Sequence, residues 1–180
     1  KDGYIKEELR GDISIKNLSF KYPDTGIQAL RNISIDISSG QTVAVIGKTG
    51  SGKTTLANML LRMYNADSGE IQYDNHPINK LSLKNLRSQI GFVPQQVFLF
   101  SDTIGRNIAF GLDTLEQEKV ERAARDAAVY DNIIRFDEGF ATHIGERGVT
   151  LSGGQKQRIS IARALVKDPS ILIFDDCLSA

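Results

Sequence analysis

The sequence predicts an α/β fold in which a mostly parallel β-sheet is covered by helices on both faces. Continuous apolar runs at 42–47, 90–93 and 171–174 are separated by segments with helical periodicity. Strands buried on both faces of a parallel sheet have this composition, because helices cover each face. The helical stretch from Gln95 to about residue 166 is best explained as a lobe inserted between two of these strands.

Composition limits the classes of protein to which the chain can belong. Its 180 residues leave room for one ordinary domain, and the 41% that are hydrophobic supply a core. The formal net charge is zero, so no broad electrostatic field attracts nucleic acid. Cys177 is the single cysteine, which excludes an internal disulfide and fits a reducing compartment. No apolar run approaches about 18 residues, so any membrane-spanning segment must come from elsewhere.

Two half-buried strands are predicted near the N-terminus, because apolar residues alternate there with polar ones. Their apolar residues fall between 13 and 20 and between 33 and 37. Turn-forming residues at 24–26 and 38–40 follow these two strands. The apolar run at 42–47 predicts a third strand.

The remaining elements follow from periodicity and from capping and turn signals. In order, they are a helix from about Lys53, a turn at 65–69, a strand at 70–73, a helix at 80–89, a strand at 90–93, a helix capped by Thr114 with Gln117, a helix from about Gly154 to Lys167, and a strand at 171–174. The helix after Gln117 carries the charge pairs Glu118/Arg122 and Glu121/Arg125 at i,i+4 spacing, which supports its assignment.

A phosphate-binding loop is predicted at residues 47–54, whose sequence GKTGSGKT fits G-x-x-x-x-G-K-[S/T]. Glycines there let backbone N–H groups point at anionic oxygens at the start of a helix. Lys53 is expected to reach the β- and γ-phosphates, and Thr54 to offer its hydroxyl to Mg²⁺. A glycine-rich turn with a surface lysine is the alternative, and the strand–loop–helix context disfavours it. The predicted nucleotide-binding residues of this segment are Gly47, Thr49, Gly50, Ser51, Gly52, Lys53, Thr54 and Thr55.

Asp175 follows the apolar strand at 171–174, so its carboxylate is expected at the carboxyl edge of the sheet. Ligand sites of open α/β folds gather at that edge, and a carboxylate there can hold Mg²⁺ through its water shell. The alternative is a strand-terminating aspartate that only caps a turn.

Several motifs resemble those of ATP-binding-cassette (ABC) ATPases, and the resemblance covers essentially the whole chain. Residues 151–155 (LSGGQ) resemble the signature motif, 171–176 the Walker B strand and 90–95 the Q-loop. Residues 20–23 (FKYP) resemble the aromatic loop that stacks on adenine. Residues 145–148 (GERG), together with 99–104, are similar to the exporter branch, although an ordinary charged turn is the alternative for GERG.

This resemblance implies a P-loop NTPase (RecA-like) core with a mostly parallel sheet, an N-terminal antiparallel β subdomain and an inserted α-helical subdomain. The whole of 1–180 is then a single domain fragment that stops after Walker B. Its core and β part comprise 1–95 and 167–180, and its helical subdomain with the signature comprises 96–166.

The resemblance also implies roles for residues outside the phosphate loop. Tyr22 would stack on adenine, and Gln95 would sense Mg²⁺ and the γ-phosphate. Asp176 stands where the family usually has a glutamate that positions the attacking water. Because aspartate is one methylene shorter, we expect slow or absent hydrolysis, unless a small shift or an extra water compensates. Lys53, Gln95 and Asp176 are the catalytic candidates, while Thr54, Gln95 and Asp175 are the Mg²⁺ ligand candidates.

The signature residues are Ser152, Gly153, Gly154 and Gln155. S-x-x-Q is by itself a helix-capping box. Two glycines in a first helical turn cost up to about 1 kcal/mol each against alanine, which capping does not explain. In the family, two domains meet head to tail, and each signature covers the nucleotide held by the other domain. All four are therefore candidate nucleotide-binding residues, and Ser152, Gly154 and Gln155 are expected to act in trans.

The phosphate loop and the resemblance together imply an ATP- and Mg²⁺-dependent motor domain of an ABC exporter, in which ATP drives dimerisation of two nucleotide-binding domains. The expected partners are a second such domain, identical or different, and a transmembrane domain upstream in the same chain; nucleic acid is not expected. Asp176 favours a heterodimer in which this chain supplies the weaker site. The expected location is the cytoplasmic face of the cell membrane. A soluble ABC ATPase of DNA repair or translation is the main alternative, and a P-loop kinase ranks last.

Overall fold

The structure is a computed structural model that describes residues 4–145 and 148–176. The chain divides into two compact units, residues 1–89 and 90–180. Cys177 and the central residues of the GERG segment, Glu146 and Arg147, lie outside the described residues.

An antiparallel sheet organises the first unit. Its strands are β1 (Ile13–Lys21), β2 (Gln28–Ile37), β3 (Ser68–Tyr73) and β4 (His76–Pro77), in the spatial order β2-β1-β3-β4. Helices α1 (Lys53–Leu60) and α2 (Leu83–Ser88) belong to the same unit, and a 3-10 turn spans Ile78–Lys80. The two predicted N-terminal strands and the predicted strand at 70–73 are confirmed.

Strand β1 lies between β2 and β3, and the side chains on one of its faces are buried. Ile13 and Ile15 are buried, and so are Leu18 and Phe20, three and five residues after Ile15. The strict alternation is interrupted at Asn17, which has a φ of 50°, and the pairing register shifts between Ile15 and Leu18. This irregularity returns the later side chains to the buried face of the sheet.

The predicted strand at 42–47 is wrong. Residues 41–48 have no regular secondary structure, and all of them are exposed. Ile46, for example, retains 93% of its accessible surface. Apolar composition indicates that a segment suits a strand, but a strand also needs neighbours with which to exchange backbone hydrogen bonds. Among the described residues, no strand of the antiparallel sheet in the same unit pairs with this segment.

That parallel pair lies in the second unit. Strands β5 (Ile90–Val93) and β6 (Ile171–Phe174) run parallel in register from Ile90 opposite Ile171 to Val93 opposite Phe174. The predicted strands at 90–93 and 171–174 are therefore confirmed, and so is their parallel direction.

In the described part of the second unit, the other elements are the helices α3 (Ile104–Ile108), α4 (Gln117–Asp126), α5 (Tyr130–Ile133) and α6 (Gly153–Leu165) and a 3-10 turn at Gly139–Ala141. They pack around a core of fully buried aliphatic side chains that includes Ile104, Ile108, Val120, Ile133 and Ile159. The helix-rich stretch that the sequence predicts is therefore confirmed, and its buried aliphatic side chains form the core of this unit.

Helix α4 begins later than predicted. Its N-cap is Glu116, with no side-chain capping bond, so the proposed capping box of Thr114 and Gln117 is wrong. Gln117 is instead the first helical residue, and its side chain donates to Glu121 at 2.9 Å. The predicted Glu121/Arg125 pair forms at 3.0 Å.

The predicted Glu118/Arg122 pair does not form. Arg122 pairs instead with Asp168, at 2.7 Å. Asp168 lies beyond the end of α6. A partner distant in sequence has replaced the one expected four residues away.

Arg163 joins α6 to the segments around α3. Its guanidinium donates three hydrogen bonds of 2.8 Å, to the carbonyls of Asn107 and Phe98 and to the Asn107 side chain. Burial lowers the pKa of this guanidinium below its ordinary value. These bonds fix the C-terminal part of the helix whose first turn carries the signature residues.

Candidate functional site

The predicted phosphate loop connects directly to the N-terminus of α1. Gly52 is the N-cap of that helix, and the first helical bond runs from the Leu56 N–H to the Gly52 carbonyl at 2.8 Å. No side chain caps the helix. The first turn of a helix leaves N–H groups without intrahelical acceptors, and these groups favour anions.

Two glycines in the loop have backbone conformations that other residues adopt only with strain. Gly50 has a φ of 79° and Gly52 a φ of 94°. A Cβ added to Gly52 would lie 2.5 Å from the carbonyl oxygen of Ala29. This oxygen belongs to the backbone, so it cannot easily move away. The loop therefore needs glycine at Gly52 for both backbone conformation and space.

Lys53 folds back over this loop. Its Nζ donates to the carbonyls of Gly47 at 2.8 Å and Lys48 at 3.1 Å. The ammonium group is thus held at the mouth of the loop by neutral acceptors, which an anionic oxygen can replace at a gain in electrostatic energy.

The next two threonines differ in environment. Thr54 is exposed, whereas Thr55 is 5% exposed. The Thr55 hydroxyl lies 2.9 Å from the Tyr22 hydroxyl, so one of the two donates to the other. The structure thus brings together two residues that the sequence analysis assigned separately to the nucleotide site.

Tyr22 also belongs to a cluster of three aromatic rings. Its ring centroid is 5.1 Å from that of Phe20 and 5.5 Å from that of Tyr64, at interplanar angles of 76° and 85°. Sequence reasoning missed Tyr64. The motif at 20–23 signals only Tyr22, and no periodic pattern connects it to a residue that follows α1.

Asp175 and Asp176 follow the last residue of β6 at the carboxyl end of the parallel pair, as the sequence predicts for Asp175. Asp175 is 6% exposed, and its N–H donates to the Val93 carbonyl at 2.9 Å, which extends the ladder past β6. The side chain of Gln95 donates to Asp176 Oδ2 at 3.1 Å. The two residues predicted to act on the attacking water and the γ-phosphate are thus direct neighbours.

The signature residues form the first turn of α6. Ser152 is the N-cap: its hydroxyl accepts from the Gln155 N–H at 3.2 Å, and its own N–H donates to Gln155 Oε1 at 2.9 Å. The capping box that the sequence predicts is therefore confirmed. Gly153 and Gly154 are exposed, and a Cβ added to either would meet nothing within 4 Å. Packing in the described part of the chain does not require glycine at these two positions.

The three predicted Mg²⁺ ligands, Thr54, Gln95 and Asp175, all offer oxygen atoms. Among the residues that the structure describes, no three His, Cys, Asp or Glu side chains cluster as a protein-only metal cage requires. Mg²⁺ is typically bound by one or two protein oxygens together with waters and substrate phosphates. The buried Asp175 carboxylate and the exposed Thr54 hydroxyl are donors of that kind.

Comparison with known proteins identifies relatives over nearly the whole chain. The profile of the ABC transporter family matches residues 30–179. An uncharacterized ABC transporter ATP-binding protein of Bacillus subtilis, YfiB, is 46% identical over 179 residues, or 99% of this chain and 31% of that protein. The ATP-dependent lipid A-core flippase of Escherichia coli K12 is 47% identical over 177 residues, 98% of this chain and 30% of the flippase.

A solved structure gives the same result. A bacterial Atm1-family ABC exporter with ATP bound superimposes with a TM-score of 0.92 at 41% identity, covering 99% of this chain and 31% of the exporter. The chain thus spans about a third of the length of these relatives. Within residues 4–145 and 148–176, no helix combines the length and apolar character needed to cross a bilayer.

Proposed function

Because the chain belongs to the ABC transporter family, we propose that it is the ATP-hydrolysing motor domain of an exporter and lies at the cytoplasmic face of a membrane. The observation that carries this proposal is the loop at 47–54. It places Lys53 over two loop carbonyls and leads into a helix N-terminus without a side-chain cap. The names of the relatives, a flippase and an exporter, support export as the process that the motor drives.

In this proposal, each predicted site residue of the first unit has its own role in binding Mg²⁺-ATP. Backbone N–H groups of the loop and the Lys53 ammonium bind the phosphates of ATP. The Tyr22 ring stacks on the adenine. The Thr54 hydroxyl binds Mg²⁺, which neutralises phosphate charge when it is present.

Residues of the second unit act on the cation and on the attacking water. Asp175 holds Mg²⁺, and its burial keeps the carboxylate in place. Gln95 donates through its amide nitrogen to Asp176, so its amide oxygen is the atom available for the cation. Asp176 orients the water from a shorter side chain than the family's usual glutamate, and we infer that hydrolysis at this site is slow.

The signature residues Ser152–Gln155 are proposed to act on ATP held by another copy or by a homologous partner domain. Two exposed glycines that no described neighbour requires, at the start of a helix, suit the close approach of a partner's nucleotide. Dimerisation in the presence of ATP then moves a transmembrane domain that belongs to the same protein. If the partner domain differs and carries glutamate at the corresponding position, it supplies the faster site.

ATP binding by the intact protein, measured by calorimetry, tests this proposal. The variant Lys53→Ala removes a charge-assisted hydrogen bond to phosphate, and we expect it to weaken ATP binding at least about tenfold. Lys16→Ala is the matched control, because Lys16 is exposed and forms only a 4.0 Å ion pair with Glu70. Equal affinity in both variants and in the wild type would show that the loop does not bind phosphate.

A further inference from the structure

The loop that carries Tyr22 is closed by its own backbone. The Tyr22 N–H donates to the Ile27 carbonyl at 2.9 Å, and the Tyr22 carbonyl accepts from the Gly26 N–H at 2.8 Å. Both backbone hydrogen-bonding groups of Tyr22 are therefore used within the connection between β1 and β2. This closure fixes the backbone at Tyr22 but leaves the torsion angles of its side chain to be set by other contacts.

The first of these contacts comes from α1. The Tyr22 hydroxyl and the Thr55 hydroxyl are 2.9 Å apart. Thr55 is 5% exposed, so water competes poorly for this hydrogen bond. The bond ties the far end of the tyrosine ring to the first turn of the helix that follows the phosphate loop.

The second contact comes from the segment after α1. The Tyr64 ring lies edge to face with Tyr22 at 5.5 Å and 85°, and it contacts Phe20 at 5.1 Å. Phe20 is only 3% exposed, so it forms the fixed base of the three-ring cluster. Tyr22 therefore has a ring on each of two sides, and neither ring is stacked parallel to it as a purine base would be.

Asp67 fixes the segment that presents Tyr64. Its carboxylate accepts from the Lys21 N–H at 2.6 Å, and its own N–H donates to the Ser19 carbonyl at 3.1 Å. These two bonds attach the segment to the last residues of β1, immediately before Tyr22. The position of Tyr64 relative to Tyr22 is thus determined by the sheet.

We propose that Thr55 and Tyr64 are positioning residues that hold the Tyr22 ring in the orientation in which it stacks on the base of ATP. This inference rests on the proposed nucleotide-binding function. A ring that is ordered before the ligand arrives loses less conformational entropy on binding, so the affinity for the base increases. In this proposal, Thr55 affects ATP binding through the orientation of Tyr22. The position of Thr55 beside the phosphate loop suggests a second role, a direct contact with phosphate.

The two roles of Thr55 predict different ligand dependence. A residue that orients the stacking ring affects ligands with a base and leaves inorganic triphosphate unaffected. A residue that contacts phosphate affects both ligands equally. The experiment therefore compares the dissociation constants of ATP and of inorganic triphosphate for the intact protein.

Two single variants remove the hydroxyl bond from opposite sides. Thr55→Val keeps the side-chain shape, and Tyr22→Phe keeps the ring. We expect each to weaken ATP binding about fivefold, the usual contribution of one hydrogen bond, and to leave triphosphate binding unchanged. The double variant should be no weaker than either single variant, because both remove the same interaction. Thr55→Ser retains the hydroxyl and should bind ATP as the wild type does.

Tyr64 is tested in the same way. Tyr64→Ala removes an aromatic contact and should weaken ATP binding about threefold to fivefold without affecting triphosphate. Tyr64→Phe keeps the ring and should bind ATP normally. Ser14→Ala is the control, because it removes a 2.6 Å side-chain hydrogen bond to Asp36 elsewhere in the same unit.

The outcomes separate this inference from the proposed function. A wild-type protein that binds neither ligand overturns the proposed function and the inference with it. If the wild type binds ATP but Thr55→Val and Tyr22→Phe bind it equally well, the inference alone is wrong. It is also wrong if Thr55→Val weakens ATP and triphosphate binding by the same factor, or if Thr55→Ser fails to restore ATP affinity.

Discussion

Asp176 combines an unusual side chain for its proposed role with an unusual backbone conformation. Its φ is 46°, and its carboxylate accepts from Gln95 at 3.1 Å. Asp and Asn adopt positive φ more readily than other side chains, because they are short and polar. The backbone at this position therefore suits aspartate, although the resemblance to ABC ATPases leads us to expect glutamate.

Lengthening this side chain should accelerate the reaction. Asp176→Glu extends the carboxylate by one carbon–carbon bond, about 1.5 Å. Because a displacement of about 1 Å can change a rate on the order of 100-fold, we expect turnover of Mg²⁺-ATP to rise about tenfold or more. Asp113→Glu makes the same chemical change at an exposed position and serves as control. An unchanged or lower rate in Asp176→Glu would contradict our explanation of slow hydrolysis.

The site residues differ in how far the sequence could predict them. The phosphate loop is contiguous, so its residues follow from one motif, and the Ser152/Gln155 capping box likewise follows from a spacing of three. The Tyr22–Thr55 bond joins residues 33 apart in the chain. Such a contact depends on how β1 and α1 are packed, and no local pattern encodes it.

Tyr73 connects β3 to α1 through a buried hydrogen bond. Its side chain is completely buried, and its hydroxyl donates to the Leu60 carbonyl at 2.8 Å. This carbonyl belongs to the last turn of α1, where carbonyls have no intrahelical donor. Burial raises the pKa of the Tyr73 phenol far above its ordinary value, because the interior cannot solvate a phenolate.

The shift makes the stability of the fold sensitive to alkali. In the folded protein the phenol stays neutral, whereas in the unfolded chain it ionises near its ordinary pKa of about 10. The contribution of Tyr73 is therefore fully present below about pH 10 and is lost as the pH rises further. The urea midpoint should fall more steeply with pH above about 10 in the wild type than in Tyr73→Phe.

The phenylalanine variant has a cost at neutral pH. Loss of the bond to Leu60 should destabilise it by about 1–2 kcal/mol there. Tyr4→Phe is the control, because Tyr4 is 51% exposed. Parallel curves for the wild type and Tyr73→Phe above about pH 10 would show that Tyr73 does not cause the alkaline loss.

Elements could be predicted from the sequence where their local signal and their packing agree. Strands β1, β2, β5 and β6 and helix α6 meet that condition. The segment at 42–47 has the composition of a strand but lacks hydrogen-bonded neighbours in the described structure, so composition alone was misleading. Helix α4 has the predicted periodicity, but the predicted cap at Thr114 does not form, and the helix begins after Glu116, which has no side-chain capping bond.

At the scale of the whole molecule, the proposed motor needs a surface that the chain does not use for its own folding. Gly153 and Gly154 meet this requirement, because a side chain at either position would clash with nothing described. Alanine there should favour helix α6 by up to about 1 kcal/mol per residue. Glycine is thus unfavourable for the isolated helix, and we attribute its presence to the partner's nucleotide.

The central claim is that ATP bound by one domain is closed by the signature of another, and hydrolysis by Gly154→Ala in the intact protein tests it most directly. We predict that Mg²⁺-ATP turnover falls at least about tenfold, because the added methyl group displaces the partner's nucleotide. The thermal midpoint of Gly154→Ala should stay the same or rise. Glu118→Ala, at an exposed position of another helix, is the control and should keep full turnover. Full turnover in Gly154→Ala would contradict the account.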